Sequence, residues 1–193
     1  MVSIYSLKPR FQAALRPAQH RLVGWGVSAD QLTGAGLALS GLVGLVFVAS
    51  GSHPALLWAI PGLLLGRMAL NALDGLVARQ TSTASESGRV FNEMADVGGD
   101  AVAYLPLAVL LPGHAVWIAV VVCGGLLSEF ASVVAGEPRR NQGPLGKSDR
   151  AAVFSVFAIA LAIAGQAGTW ITWSLAILTV GTALTIRNRT RHA

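Results

Sequence analysis

Six apolar runs divide this 193-residue chain: Leu32–Ser50, Ala55–Leu73, Val90–Leu111, Ala115–Ala135, Ala151–Gly165 and Thr169–Ile186. A hydrocarbon core of roughly 30 Å is crossed by about 20 helical residues, so runs of this length read as membrane-spanning helices. The fifth run is short, and its helix is expected to begin near Lys147. The third is the least apolar, as expected of a span that carries a polar site. Composition agrees: 53% of residues are hydrophobic and 12% charged, with a mean hydropathy of +0.60. A soluble domain could not hide that much apolar surface. The expected fold is an all-α membrane protein of one domain. Residues 1–30 form a cytoplasmic interfacial segment, 31–187 a bundle of six transmembrane helices, and 188–193 a cytoplasmic tail.

The cations set an orientation. Lys8, Arg10, Arg16 and Arg21 precede the first span, Arg79 and Arg89 flank the second connection, and Arg139, Arg140, Lys147 and Arg150 occupy the fourth. Arg187, Arg189 and Arg191 follow the sixth span, while the first, third and fifth connections hold no Lys or Arg. The positive-inside rule then puts both termini and the even connections in the cytoplasm. Trp58, Trp117, Trp170 and Trp173 fall at the opposite ends, where an aromatic belt sits. The net charge of +5 thus reads as topology and contact with anionic lipid headgroups. Cations spread over several membrane-proximal loops do not suggest nucleic-acid binding.

Residues 3–21 interleave Tyr5, Leu7, Phe11 and Leu15 with cations, the pattern of a short amphipathic helix on the cytoplasmic interface. The first 30 residues hold no long apolar core, so no cleavable signal peptide is expected. Asp30 is a candidate N-cap for the first span. Gly34, Gly36, Gly41 and Gly44 suggest close helix packing, and Pro61 and Pro106 are expected to bend the second and third spans. Cys123 reads as a small buried side chain, and no Cys/His pair has zinc spacing.

Against this apolar background, polar and acidic residues recur at helical spacing. Asn71 and Asp74 share one face of the second span, and Asn92, Asp96 and Asp100 one face of the third. Ionisable groups at membrane depth are costly and suggest a functional site. The stretch Asn71-x-x-Asp74-Gly75-x-x-Ala78-Arg79, eight residues, Gly88-x-x-x-Asn92-x-x-x-Asp96 resembles the CDP-alcohol phosphatidyltransferase signature, D-x-x-D-G-x-x-A-R, eight residues, G-x-x-x-D-x-x-x-D. The spacing matches throughout. Two positions depart: Asn71 and Asn92 stand where the family has aspartate.

The resemblance implies transfer of a phosphatidyl or similar group from a CDP-alcohol, with CMP leaving. Charge builds on both sides of the breaking bond, and a divalent pair can clamp it. It implies Asn71, Asp74, Asn92 and Asp96 as ligands of one or two Mg2+ or Mn2+ ions, which take hard oxygen donors. It also implies Asp96 as the base for the acceptor hydroxyl. An asparagine carbonyl can ligate but brings no charge. Asp100, one turn beyond Asp96, is a further candidate ligand, with helix packing as the alternative. Gly75, Ala78, Arg79 and Gly88 are the expected CDP-alcohol contacts: small residues give room, and Arg79 offers its fork to the pyrophosphate.

Arg139, Lys147 and Arg150 form a basic entry to the fifth span, similar to that of the family, and could hold a phosphate on the acceptor; anchoring by positive charge is the alternative. Ser128-Glu129 breaks the fourth span and reads either as an interhelical ion pair or as part of the acceptor pocket. The loop Thr81–Ser87 can cap the third helix. A homodimer is implied by the resemblance alone. The expected function is transfer of a phosphatidyl group, with CDP-diacylglycerol as the expected donor, to a hydroxyl acceptor in phospholipid synthesis at the inner membrane, with the site facing the cytoplasm. The alternative is a non-catalytic CDP-lipid-binding protein that assists another lipid enzyme. A transporter is less consistent, because the polar residues gather near one membrane face rather than at the midplane.

Overall fold

The computed structural model describes residues 8–83, 85–134, 143–166 and 168–190, and all secondary structure among them is helical. The helices are α1 (Lys8–Gly24), α2 (Ala29–Ala49), α3 (Ile60–Thr81), α4 (Glu86–Tyr104), α5 (Leu107–Leu110), α6 (Ala115–Val134), α7 (Lys147–Ala164) and α8 (Thr169–Thr190). Short 3-10 turns at Pro54–Ala59 and Pro112–His114 lead into α3 and α6. Among the described residues, four segments are long and apolar enough to cross a membrane: Ala29–Ala49, Pro54–Thr81, Pro112–Val134 and Thr169–Thr190. Helices α4 and α7 do not meet that measure. The polar side chains that lower their hydropathy, such as Asp100 and Arg150, are buried against neighbouring helices.

The helix ends follow local chemistry. Ser28, not Asp30, caps α2: its hydroxyl accepts from the Gln31 backbone N–H at 3.2 Å, and Gln31 Oε1 accepts from the Ser28 N–H at 3.0 Å. That reciprocal capping box satisfies two orphan donors and leaves Asp30 in the first turn. Ser85 caps α4 by accepting from the Gly88 N–H at 3.0 Å. Pro61 lies at the start of α3 instead of bending it, where a missing N–H costs little. Pro106 does interrupt the third run, separating α4 from α5.

One apolar core runs through the bundle, built from Phe47, Tyr104, Ile118, Phe154, Leu161 and Leu175 among others. Tyr104 and Phe154 stack with ring centroids 4.0 Å apart. Helices α2 and α4 approach closely at Gly44, where a Cβ would collide with the Val102 carbonyl; only glycine fits. Leu45, Leu65, Phe130, Trp173 and Ile177 are exposed, an outward apolar surface suited to lipid. Cys123 belongs to that outer face and is exposed rather than buried. Helix α1 packs Leu15, Ala18 and Leu22 against Leu32, Leu73 and Val77. Its Gln19 amide donates to Leu76 O at 3.1 Å and Gln80 Oε1 at 2.8 Å, so α1 is docked on the end of α3.

Candidate active site

Helices α3 and α4 face each other across two amide–carboxylate pairs. Asn71 Nδ2 donates to Asp96 Oδ1 at 2.9 Å, and Asn92 Nδ2 donates to Asp74 Oδ2 at 2.6 Å. Asp74 is 4% exposed. It also accepts from Thr33 Oγ1 at 3.0 Å and from the Gly75 N–H at 2.6 Å. Asp96 Oδ1 forms an ion pair with Lys147 Nζ at the start of α7. The three-residue step from Asn71 to Asp74 and the four-residue step from Asn92 to Asp96 put both rows toward one gap. Gly36 admits this arrangement, because a Cβ there would stand 2.5 Å from Asn71 Oδ1.

The gap opens into a cavity of about 720 Å3. Asn71, Asp74, Gly75, Arg79, Asn92, Asp96 and Lys147 all line it. The Arg79 guanidinium lies over Gly75, its Nη1 3.4 Å from where a Cβ would be. From the polar end the cavity continues along α3 past Met68, Leu65 and Leu64 to Pro61, with Ala151, Ala152 and Ser155 of α7 opposite. Eighteen residues separate Pro61 from Arg79, about 27 Å of helix. Phe11 and Gln12 of α1 close the polar end.

Other expected residues lie outside the cavity. Ala78 does not line it, and Gly88 is at the capped first turn of α4, where a Cβ would meet Ser85 Oγ at 3.0 Å and Asp30 Oδ1 at 3.3 Å. Asp100 is 4% exposed and held between two guanidiniums. Arg150 donates to its Oδ2 from Nε at 3.1 Å and from Nη2 at 2.7 Å. Arg67 Nη1 stands 2.7 Å from its Oδ1, a charge contact whose angles are not those of a hydrogen bond. Asp100 therefore serves an ion-pair cluster. Arg150 is equally committed: beyond Asp100, it donates to Glu129 Oε1 at 3.0 Å, Ser128 Oγ at 3.3 Å and Leu145 O at 3.3 Å. Arg139 falls outside the described residues.

Sequence reasoning left two members of this cluster unplaced. In the sequence, Arg67 stands alone inside the second apolar run, and Arg189 is one of several cations after the sixth. Both are buried, at 2% and 1% exposure. Arg189 Nη1 donates to Ser128 O at 2.5 Å and lies 3.4 Å from Glu129 Oε1. Leu178, Thr182, Thr185 and Arg189 form the buried face of α8, and that three- and four-residue spacing was the available clue. For Glu129 the ion-pair reading describes its contacts, while its carboxylate also lines the cavity.

Among the described residues no three His, Cys, Asp or Glu side chains converge on a common point. The polar gap instead offers two carboxylates and two amide side chains. These are hard oxygen donors, and they suit a divalent ion that takes its remaining ligands from phosphate or water.

The sequence matches the profile of the CDP-alcohol phosphatidyltransferase family over residues 27–183. The chain belongs to that family. It is 38% identical over 189 residues to the inner membrane protein YnbA of Escherichia coli (strain K12), covering 95% of this chain and 94% of that one. Its fold is similar to that of the phosphatidylinositol phosphate synthase of Mycobacterium tuberculosis solved with CDP-DAG bound. The TM-score is 0.74 at 16% identity, over 91% of this chain and 90% of that one. The same enzyme in complex with manganese and citrate gives a TM-score of 0.74 at 17% identity, over 91% and 86% of the two chains.

Proposed function

We propose that the chain transfers the phosphatidyl group of CDP-diacylglycerol to a hydroxyl acceptor, releasing CMP, in phospholipid synthesis at the inner membrane. The observation that carries this reading is the two-ended cavity. Its polar end suits a pyrophosphate, and its apolar run along α3 and α7 suits an acyl chain. Arg79 binds the pyrophosphate by charge-assisted hydrogen bonds, and Gly75 lets it approach the backbone. Asp74 and Asp96 would hold a divalent ion, Mg2+ or Mn2+, with neutral oxygens from Asn71 and Asn92. When bound, that ion offsets the charge of the pyrophosphate and the leaving CMP.

Asp96 accepts the proton of the acceptor hydroxyl. The freed oxygen attacks the phosphorus that carries diacylglycerol, the pyrophosphate P–O bond breaks, and its electrons leave with CMP. Asn71 fixes the Asp96 carboxylate by hydrogen bonding, and Lys147 compensates its charge. The reading includes six spans, cytoplasmic termini, a cytoplasmic mouth to the site and a homodimer. Crosslinking in lipid tests the last of these.

Purified protein in lipid, given CDP-diacylglycerol, Mn2+ and a set of alcohols, should release CMP. Water-soluble CDP-alcohols without acyl chains should support far less. A second reading rests on Asn71 and Asn92, which leave the gap two carboxylates short of the family signature. In it the chain binds a CDP-lipid without turnover and assists another lipid enzyme. Tight binding of CDP-diacylglycerol with no CMP from any acceptor would favour that second reading.

A further inference from the structure

We infer that the acceptor is a hydroxyl compound that carries no phosphate. This rests on the transfer reading above and concerns the end of the same cavity lined by α6, α7 and α8. A phosphorylated acceptor brings up to two negative charges and needs cations free to receive it. Among the described residues, the cations at this end already have carboxylate partners. Lys147 pairs with Asp96. Arg189 stands 3.4 Å from Glu129 and donates to Ser128 O. Arg150, 2% exposed, has Nε, Nη1 and Nη2 all bonded to Asp100, Ser128, Leu145 and Glu129, and it does not line the cavity.

To draw Arg189 onto a phosphate would strip Glu129 of one of its two counter-charges and leave it only Arg150, which Asp100 already shares, in a largely desolvated place where ion pairs are costly to break. A neutral hydroxyl makes no such demand. Arg189 Nε is a buried donor with no partner among the described residues, and a neutral oxygen can accept from it without disturbing the ion pairs.

The test uses matched acceptors with the full-length protein in lipid: glycerol against sn-glycerol 3-phosphate, and inositol against inositol 1-phosphate. CMP release from CDP-diacylglycerol should favour the phosphate-free member of at least one pair by about tenfold or more. Equal or faster release with the phosphorylated members would overturn the inference and leave the transfer reading standing. CMP release from no acceptor would overturn the transfer reading, and binding then decides the inference separately. Titration with sn-glycerol 3-phosphate should show no saturable binding in the low millimolar range; saturable binding there would overturn the inference. Glu129→Gln should improve use or binding of the phosphorylated members, since it releases Arg150 and Arg189 from their shared partner. A stable Glu129→Gln protein that still discriminates to the full wild-type extent would also count against it.

Discussion

Asn92 lies 2.6 Å from Asp74 across the gap between α4 and α3, its amide donating to the carboxylate. Where the family signature has aspartate at both positions, this chain has a donor facing an acceptor. Asn71 and Asp96 repeat the relationship at 2.9 Å. Two carboxylates at such a distance repel unless a cation lies between them. An amide and a carboxylate hold together without one. The bundle end is therefore expected to close in the absence of metal, at the expense of metal affinity.

The double variant Asn71→Asp with Asn92→Asp tests this directly. It should bind Mn2+ about tenfold or more tightly and should lose thermal stability when metal is removed. Manganese titration and unfolding with and without chelator read both effects. Unchanged affinity together with unchanged metal-free stability would show that these side chains do not face a common ion.

Asp74→Asn and Asp96→Asn should each abolish CMP release while the protein keeps its helical content and its Arg67–Asp100–Arg150 cluster. Asp100→Asn should behave differently. Removing one partner of a buried ion cluster costs about 3–5 kcal/mol, so it should lower stability sharply but leave the Mn2+ affinity of the folded fraction near the wild-type value. Thermal unfolding and manganese titration on the same preparations separate the two patterns. A stable Asp100→Asn protein that had lost manganese would instead make Asp100 a ligand.

The helices, their order and the polar rows on α3 and α4 were legible because each is a local property. Apolar run length and the spacing of Asn71, Asp74, Asn92 and Asp96 are both read within about one turn to one span of sequence. What was not legible depends on which helices become neighbours. Arg67, Asp100, Glu129, Arg150 and Arg189 come from five helices and meet through the bundle's packing. Each taken singly had a simpler reading: a stray cation, a possible ligand, a polar break or a topology signal. Two positions needed local detail of another kind. Asp30 lost the cap to Ser28 because only Ser28 has a Gln three residues on, and Pro61 falls at a helix start where it need not bend anything.

Arg79 and Arg89 make a controlled pair. Arg79 lines the cavity over Gly75. Arg89 is 56% exposed and pairs with Glu86 at 2.5 Å on the surface of α4. Arg79→Ala should weaken CDP-diacylglycerol binding by about 2–5 kcal/mol, the range for truncating a desolvated charge contact. Arg89→Ala should change it by less than about 1 kcal/mol. Calorimetry in lipid measures both, and equal small losses would remove Arg79 from the pyrophosphate site.

Orientation is the last expectation, and it follows from where the charges fall on the helices. The Asp96–Lys147 pair, the Gln19–Gln80 contact and the Glu129–Arg189 pair lie at one end of the bundle. His114 and Thr172 meet 3.0 Å apart between the start of α6 and the start of α8, at the Trp-bearing end that holds Trp117, Trp170 and Trp173. Positive-inside bias is expected to put the first end in the cytoplasm, the compartment into which CMP would be released. Reporter fusions after Thr190 and within Gly113 should therefore report opposite sides of the membrane, with Thr190 cytoplasmic. Reporters on the same side would remove the six-span arrangement, because an odd number of crossings must lie between these positions. Opposite sides with Thr190 outside would keep the spans and invert the site, which would then face away from a cytoplasmic supply of CDP-lipid headgroups.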